Sequence, residues 1–477
     1  MNRRQFLRKS IAAALGGAGL YSAFGNLRLV EAAANQIQFT DYKALVCVFL
    51  YGGNDSFNTI VPYDTSHYGY YADSRRSLAL ARATIQANSL SPLAVQAGLP
   101  GGPPSDGGQY GLHPALSGLR GLFNSGKVAI VGNVGSLLYP TTVAQYQNES
   151  VPTPPQLFSH DDQTTQWQTS RPDDTSAVGW GGRIADLLHA SNAGQLPMSI
   201  SLADENRFQR GTVVDQYSMS PDGVTKLSYQ GDGPESWVMD GDNASGAAAY
   251  RALIAAGTQG HVLERSFANA AGRSIANYER VDSALLGAPA LATVFPDTDL
   301  GNQLKMVARL ISIRGALGMS RQVFFTSVGG YDTHGTQIAD QQDNLSQLSQ
   351  ALVAFNAALT ELGIGNGVTT FTASDFGRTL PINSDGTDHG WGGHHFVMGD
   401  AVRGGRFYGS MPSLIQNTDA QPDANPDDTG YGQIIPTTAV DQYSATLASW
   451  FGVNAGGIAD IFPNLGRFAS PNLRFLG

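Results

Sequence analysis

A continuous apolar run at residues 44–50, ALVCVFL, constrains the fold of this chain more than any other feature. Because every position is apolar, a strand here has no face for solvent, and such strands are typical of the centre of a parallel sheet. Helix and strand signals then alternate along the chain, as in βαβ units. Further strands are predicted at residues 127–132, 198–202, 322–328 and 368–373, and helices at residues 112–123, 182–190, 304–317, 341–362 and 439–451. The sequence therefore predicts an α/β fold around a parallel sheet.

The start of the chain has the layout of an export signal. A basic segment with Arg3 and Arg4 is followed by an apolar stretch and by three alanines that offer a cleavage site. The arginine pair resembles that of a twin-arginine signal. We expect residues 1–34 to direct export by the twin-arginine translocase, leaving residues 35–477 in the periplasm or outside the cell. The alternative is an amphipathic N-terminal helix that stays in place.

Composition limits the partners of the mature domain. Charged residues make up 14% of the chain and the net charge is −10, so no basic face is available for nucleic acid. No later run reaches the roughly 18 apolar residues that span a membrane, so no transmembrane anchor is expected after signal cleavage. The single cysteine, Cys47, lies in the apolar run and is expected to be buried. Residues 203–242 are polar and glycine-rich, which predicts an insertion or cap over the sheet that selects the substrate.

Acidic and imidazole side chains follow three of the predicted strands. They are Asp55 after the first, Asp332 and His334 after the fourth, and Asp375 with His389, His394 and His395 after the fifth. Because ligands bind at the carboxyl ends of parallel strands, we expect these groups to converge on a divalent-metal site. Mixed nitrogen and oxygen donors favour Zn²⁺ or Mn²⁺ over Mg²⁺ or Ca²⁺. Each group also has a structural alternative, as a turn or a helix cap.

Three further residues are candidates for the chemistry itself. Ser159 precedes His160 at a predicted helix start, where backbone N–H groups favour an anion, so its hydroxyl is a candidate nucleophile. A plain helix cap is the alternative for Ser159, and Ser56 is its rival as nucleophile. His160 is either a catalytic residue or a metal ligand. Arg378 is placed to clamp anionic oxygens, with a surface role as the alternative.

Several motifs, in their order and spacing, resemble a known family. They are residues 50–62 (LYGGNDSFNTIVP), 112–116 (LHPAL), 158–160 (FSH), 330–334 (GYDTH), 374–379 (SDFGRT), 388–390 (DHG) and 440–447 (VDQYSATL). They are similar to motifs of the exported bacterial proteins grouped as domain-of-unknown-function family 1501. That family is in turn similar in fold to the alkaline phosphatase and sulfatase superfamily. The resemblance implies a three-layer α/β sandwich with a mostly parallel central sheet, alkaline-phosphatase-like, carrying a cap insertion.

The resemblance also implies roles for the polar groups. Asp55 and Asp375 match the aspartates of one metal position, beside the nucleophile. Asp332, His334 and His389 resemble the ligands of a second position. The superfamily often has Asp-His where this chain has Asp375 followed by Phe376, which would leave one position short of a ligand. The chain also lacks a formylglycine-type cysteine motif, so an ordinary sulfatase is not expected.

These observations predict an exported metal-dependent hydrolase of phosphate or sulfate esters. It would hold one or two divalent ions and act on a small anionic ester or a decorated polysaccharide, with Ser159 or activated water as the nucleophile. The alternative is a non-catalytic surface- or carbohydrate-binding protein on a degenerate phosphatase-like fold. A Ser-His-Asp esterase is a third hypothesis, but the chain lacks the Gly-x-Ser-x-Gly elbow of such enzymes.

Overall fold

A computed structural model describes most of the chain. The described residues are 38–174, 177–194, 196–224, 226–229, 237–238, 244–255, 261–417, 421 and 424–477. The predicted signal at residues 1–34 lies outside them, as does part of the predicted insertion at 203–242. Among the described residues, no helix is both long and apolar enough to cross a membrane.

Thirteen strands are found in the described residues. In chain order they are β1 Lys43–Leu50, β2 Ile60–Pro62, β3 Tyr110–Leu112, β4 Val128–Gly135, β5 Ser199–Ser201, β6 Tyr217–Ser218, β7 Ser228–Tyr229, β8 Trp237–Val238, β9 Arg321–Val328, β10 Val368–Ser374, β11 Gly393–Met398, β12 Phe407–Gly409 and β13 Thr438–Ala439.

Nine of these strands form the central sheet, in the order β12-β4-β11-β10-β1-β9-β5-β6, with β13 also paired to β4. The strand β1 pairs in parallel with β10 on one side and β9 on the other. The pairs β5 with β9, β5 with β6, and β4 with β12 and β13 are parallel too. Only β11 runs against its neighbours β10 and β4. The sheet is therefore mostly parallel, as predicted.

Thirteen α-helices are found in the same residues. They are α1 Ser56–Thr59, α2 Thr65–Arg75, α3 Arg82–Ala87, α4 Ser117–Asn124, α5 Val143–Gln147, α6 His160–Thr169, α7 Trp180–Leu188, α8 Ala244–Ala255, α9 Val262–Leu286, α10 Asp299–Ser312, α11 Gln337–Glu361, α12 Val440–Phe451 and α13 Ala455–Ile461. Short 3₁₀ turns occur at Arg76–Leu78, Pro114–Leu116, His189–Ser191, Gly365–Gly367 and Leu465–Arg467.

Two hydrophobic cores lie on the two faces of the sheet. Successive side chains of β1 alternate between them: Val46 and Val48 belong to one core, and Leu45 and Phe49 to the other. The first core is covered by α10 and α11, and the second by α7 and α12. Because both faces are covered by helices, β1 is apolar and buried throughout residues 44–50. The prediction of a three-layer α/β fold is confirmed.

The structure shifts several of the predicted helix boundaries; for example, the helix predicted at 304–317 is found at Asp299–Ser312. The predicted helix at residues 112–123 is a 3₁₀ turn at Pro114–Leu116 followed by α4, because the proline and its neighbours tighten the first turn. The predicted helix at 341–362 begins four residues earlier, at Gln337. That earlier start matters below, because it brings Gln337 and Gln341 to the carboxyl edge of the sheet.

Asp441, in the first turn of α12, carries a buried carboxyl group. Burial raises the pKa of Asp441 from 3.8 to about 7, although the Ser170 hydroxyl and the Arg183 charge lower it. A carboxyl group with a raised folded-state pKa stabilises the fold fully below its unfolded-state pKa. That contribution is lost as the pH rises towards the folded-state value.

We therefore expect Asp441→Asn to flatten the pH dependence of stability. Relative to the variant, the parent protein should lose about 4 kcal/mol of unfolding free energy between pH 4 and pH 8. Urea unfolding at a series of pH values measures this difference. Parallel stability curves for the two proteins would show that Asp441 does not titrate in this window.

Candidate metal centre

The polar loops meet because three strands end at one level. Leu50, the last residue of β1, pairs with Val328 at the end of β9 and with Ser374 at the end of β10. All three strands are parallel, so the segments that follow them leave the same edge of the sheet. Loops more than 270 positions apart in the chain are thereby placed side by side.

Two glycines allow the loop after β1 to approach the other two. Gly52 has φ +116° and Gly53 has φ +84°. A Cβ atom at Gly52 would lie 2.3 Å from the backbone nitrogen of Asp332, and one at Gly53 would lie 2.5 Å from the ring of Phe376. Both the left-handed backbone and the close approach therefore require glycine.

Three imidazoles converge on the carboxylate of Asp332. His334 Nε2 lies 3.0 Å and His389 Nε2 lies 3.3 Å from Asp332 Oδ1, and His160 Nε2 lies 3.4 Å from Oδ2. The Nε2 atoms of His334 and His389 are only 2.9 Å apart. His160, Asp332 and His389 form a group whose ligand atoms all lie within 4.8 Å of one another.

The outer nitrogen of each imidazole faces an oxygen. The pairs are His160 Nδ1 with Asp375 Oδ2 at 2.7 Å, His389 Nδ1 with the Phe158 carbonyl oxygen at 2.7 Å, and His334 Nδ1 with Asp388 Oδ1 at 3.3 Å. An acceptor at Nδ1 holds the proton there and leaves a lone pair on Nε2. Metal-binding histidines are fixed in this way by oxygen partners behind the ring.

This arrangement fits a divalent cation. The Nε2 atoms of His334 and His389 lie 2.9 Å apart beside a carboxylate oxygen, and neutral imidazoles offer Nε2 as a metal donor when the proton is on Nδ1. Donors bound tetrahedrally to Zn²⁺ at 2.0–2.1 Å stand about 3.3 Å apart, close to the separations seen here. The Asp332 and His334 side chains are 43% and 45% exposed, so the group is open to solvent. Structural zinc sites are instead closed by four protein ligands.

The surroundings set the charge of each group. The hydrogen bond to Asp375 raises the pKa of His160, against partial burial. Burial lowers the pKa of His389, against its hydrogen bond to Phe158. Partial burial alone would raise the pKa of Asp332, but the hydrogen bond and charge of Arg378 outweigh it, and the net shift is downward. Asp332 is therefore an anion at neutral pH, and His389 a neutral ligand.

Arg378 is buried and holds Asp332 in place. Its Nη1 donates to Asp332 Oδ1 at 2.6 Å and to the Gly52 carbonyl oxygen at 3.2 Å. Its Nε and Nη2 donate to the hydroxyl and carbonyl oxygens of Thr387. The guanidinium group predicted to clamp an anionic substrate is thus directed at the protein's own loops.

Phe376 lies behind the imidazoles, at the position where a ligand was considered. It is 2% exposed, and its ring centroid lies 4.8 Å from that of His160 and 4.7 Å from that of His389. The ring contributes packing, not a donor atom, and limits the orientations of two histidines.

Asp55 does not join the cluster. Its carboxylate is 1% exposed and accepts from Arg75 Nη1 at 2.9 Å and Arg75 Nη2 at 2.8 Å. Gln337 also donates to it, and the backbone nitrogen of Phe57 donates at 3.1 Å as a cap of α1. Asp375, its predicted partner, instead accepts from Gly52 N and from His160. The predicted pairing of Asp55 with Asp375 in a first metal position is not assembled here.

The predicted nucleophiles lie in different surroundings. Ser159 directly precedes His160, the first residue of α6. Its hydroxyl donates to Asp162 Oδ2 at 2.7 Å. The Ser56 hydroxyl is buried, 1% exposed, and has no hydrogen-bond partner among the described residues. Of the two, only Ser159 is partly open to solvent.

His394 and His395 lie in β11, away from the cluster. Burial lowers the pKa of His394 to about 4 and that of His395 to about 3. His394 Nδ1 accepts from the backbone nitrogen of Asn133, and His395 lies 4.7 Å from the ring of Trp167. The glycines around them indicated turns in the sequence, but the segment is a buried strand.

Two participants were not found from the sequence. Asp388 directly precedes His389 in the chain, and this position was the only sequence signal for it. Its carboxylate contacts Nδ1 of His334, however, and not the neighbouring His389. Phe158 acts through its carbonyl oxygen, and its backbone is strained at φ +71°. No side-chain pattern indicates a backbone acceptor of this kind.

Comparisons with known proteins give a family and a set of remote structural likenesses. The family model described as "Protein of unknown function (DUF1501)" matches residues 42–428. No curated protein matches the chain.

Several solved structures are similar to the chain. One is the C-terminal periplasmic domain of EcEptC from Escherichia coli in complex with Zn, with 10% identity, a TM-score of 0.37, and coverage of 93% of this chain and 90% of that one. Another is the lipoteichoic acid synthase LtaP from Listeria monocytogenes, with 8% identity, a TM-score of 0.34, and coverage of 91% and 81%. A third is the PsFucS1 sulfatase from Pseudoalteromonas sp., with 8% identity, a TM-score of 0.31, and coverage of 86% and 77%.

The surroundings of Asp55 predict a structural role. Asp55→Asn leaves the buried Arg75 without its charge partner, so we expect the unfolding free energy to fall by about 3–5 kcal/mol. When the ion is in excess, the folded variant should still bind metal. Urea unfolding and elemental analysis of the folded protein measure the two effects.

Asp73→Asn is the matched control, because Asp73 lies on the same helix, α2, with an exposed side chain. It should change stability by less than about 0.5 kcal/mol. If Asp55→Asn lost the metal but kept the stability of the parent protein, Asp55 would be a metal ligand and the predicted structural role would be wrong.

Proposed function

The chain belongs to the DUF1501 family, whose description assigns no activity, and we propose that it is an exported metal-dependent hydrolase of phosphate or sulfate esters. The observation that carries this proposal is the convergence of three imidazole Nε2 atoms on the Asp332 carboxylate. Each Nδ1 faces an oxygen, so the lone pairs point inward. Imidazole nitrogens gathered around one carboxylate are a donor set suited to a divalent cation.

We propose one ion, held by His160, Asp332 and His389, with His334 beside them as a further donor. Three nitrogen donors and one oxygen donor suit Zn²⁺ or Mn²⁺ better than Mg²⁺ or Ca²⁺. Such an ion would polarise a phosphoryl or sulfuryl oxygen and offset its negative charge. Asp375, Asp388 and the Phe158 carbonyl oxygen would orient the rings, and Arg378 would orient Asp332. Asp375 thereby changes from a proposed ligand to a positioning residue, and Asp55 is left out.

Ser159 is the nucleophile that the chain itself offers. Its hydroxyl already donates to the Asp162 carboxylate, which would accept the proton as the serine oxygen attacks phosphorus or sulfur. The bond from that atom to the alcohol oxygen would break, the alcohol would leave with a proton from solvent, and water would then hydrolyse the serine ester. Ser159 directly precedes His160, a proposed ligand, in the chain. Solvent water is the alternative nucleophile, because the cluster is open.

A non-catalytic binding protein is the second candidate function. Two observations favour it: Phe376 occupies the position of a possible ligand, and the donors of Arg378 bind the protein itself. On this alternative the ion would order the loops of a surface- or carbohydrate-binding protein. Both candidates keep the expectation of export to the periplasm or beyond, by a translocase that recognises residues 1–34.

We expect His389→Gln to remove the metal and the turnover together. The lost donor should weaken metal binding by at least about a hundredfold, more than the 10- to 100-fold expected for Asp375→Asn, which removes only the partner of His160. Elemental analysis after dialysis measures the metal, and 4-nitrophenyl phosphate and 4-nitrophenyl sulfate measure turnover. His67→Gln is the control, because His67 pairs with Asp64 and Asp106 away from the cluster.

The same assays separate the candidate functions. A parent protein that holds one ion but hydrolyses neither ester supports the binding protein, and one that holds no ion contradicts both proposals. Ser159→Ala should keep the ion and abolish turnover. Undiminished turnover in that variant would assign the attack to water.

A further inference from the structure

We propose that a groove beside the metal centre binds the alcohol part of the substrate, and that this part is an uncharged, polyhydroxylated group such as a sugar residue. The inference rests on the proposed hydrolase function and specifies its substrate class. The groove has a volume of about 690 Å³. Its lining comes from the carboxyl ends of three strands and from the start of α10.

The groove lies on the same edge of the sheet as the metal centre. It is lined by residues that end or directly follow β5, β6 and β9, and these strands are parallel. The last lining residue on the β9 side, Gly329, lies three positions before Asp332 in the chain. An ester group held at the metal centre can therefore extend its alcohol part into the groove.

The charge of the groove excludes a second anion. Its lining includes Asp204, Asp222 and Asp299 and no lysine or arginine. Serine and asparagine side chains complete the polar lining. The anionic group of a substrate would be repelled here, so it belongs at the metal centre, and the part in the groove must present hydrogen-bond donors.

The carboxylates are spaced apart and do not form one cation site. Asp204 follows β5, Asp222 follows β6, and Asp299 begins α10. In the part of the chain that the structure describes, ligand atoms of three such groups come within 4.8 Å of one another only at His160, Asp332 and His389. Separated acceptors along a groove suit several hydroxyl groups better than one ammonium group or ion.

The floor of the groove is rigid. Gln303 is 7% exposed, and its side chain both donates to the Ser327 carbonyl oxygen and accepts from the Ser327 nitrogen, each at 2.9 Å. This pairing ties α10 to the end of β9. Asp204 and Asp222 belong to the segment 203–242, which the sequence predicts as a substrate-selecting insertion. A preformed floor beside a wall from this segment is suited to recognition of one alcohol group.

The test measures binding without turnover. Neutral mono- and oligosaccharides are titrated into the purified, zinc-loaded full chain and followed by saturation-transfer NMR and calorimetry. We expect at least one neutral saccharide to bind. Asp222→Ala should weaken it by about tenfold and Asp222→Asn by about threefold, because an amide retains one acceptor oxygen. Asp215→Ala, exposed in the same segment but outside the groove, should leave saccharide binding unchanged.

Three outcomes would overturn the inference: no neutral saccharide binds, binding survives both Asp222→Ala and Asp299→Ala, or spermidine binds in place of saccharides. Melting temperatures confirm that each variant is folded, and Asp299→Ala replaces Asp222→Ala should the latter unfold. Turnover of the small nitrophenyl esters is measured separately. Esterase activity without saccharide binding would contradict only the proposal that the groove binds a sugar. Saccharide binding without any esterase activity would contradict only the proposed hydrolase function.

Discussion

The buried guanidinium group of Arg378 joins the three loops that form the metal centre. It donates to Gly52 in the loop after β1, to Asp332 in the loop after β9, and to Thr387 in the loop after β10. A buried cation must be fully paired, so these loops can adopt few other arrangements while Arg378 stays inside. The common end level of the three strands brings the loops together, and Arg378 then fixes them. An anion that paired with Arg378 would have to displace those bonds and would disturb Asp332.

The same hydrogen-bond network extends to residues outside the imidazole cluster. The Thr387 hydroxyl donates to Gln337 Oε1, the Gln337 amide donates to Asp55, and Asp55 pairs with Arg75. A continuous hydrogen-bonded path therefore runs from α2 through Asp55 to the cluster around Asp332. Polar groups in such a path support one another because each is costly to leave unpaired. These hydrogen bonds give Asp55, in the Gly-Gly-Asn-Asp motif after β1, a structural role near the candidate metal centre.

Much of the fold follows from local sequence, and part of the centre does not. The apolar run in β1 and the strand signals at β9 and β10 predict a parallel sheet, and topology then predicts that Asp332, His334 and His389 meet. Pattern alone cannot tell whether a carboxylate faces an ion or an arginine. Asp55 faces Arg75, twenty positions later in the chain, and only packing reveals this pair. The antiparallel strand β11 was missed because its glycines and histidines give no strand signal.

Phe376 bears on how many ions the candidate site could hold. A second ion near Asp375 would need donors, but Asp55 is paired with Arg75, and one oxygen of Asp375 is shared by Gly52 N and His160. The other oxygen, Oδ1, is buried without a hydrogen-bond partner among the described residues. The Phe376 ring fills the adjoining space against His160 and His389 and supplies no donor. One carboxylate oxygen is too small a donor set for a second divalent ion, which proteins hold with several ligands. The candidate ligand atoms that lie close together among the described residues are those of His160, Asp332 and His389, with His334 beside them.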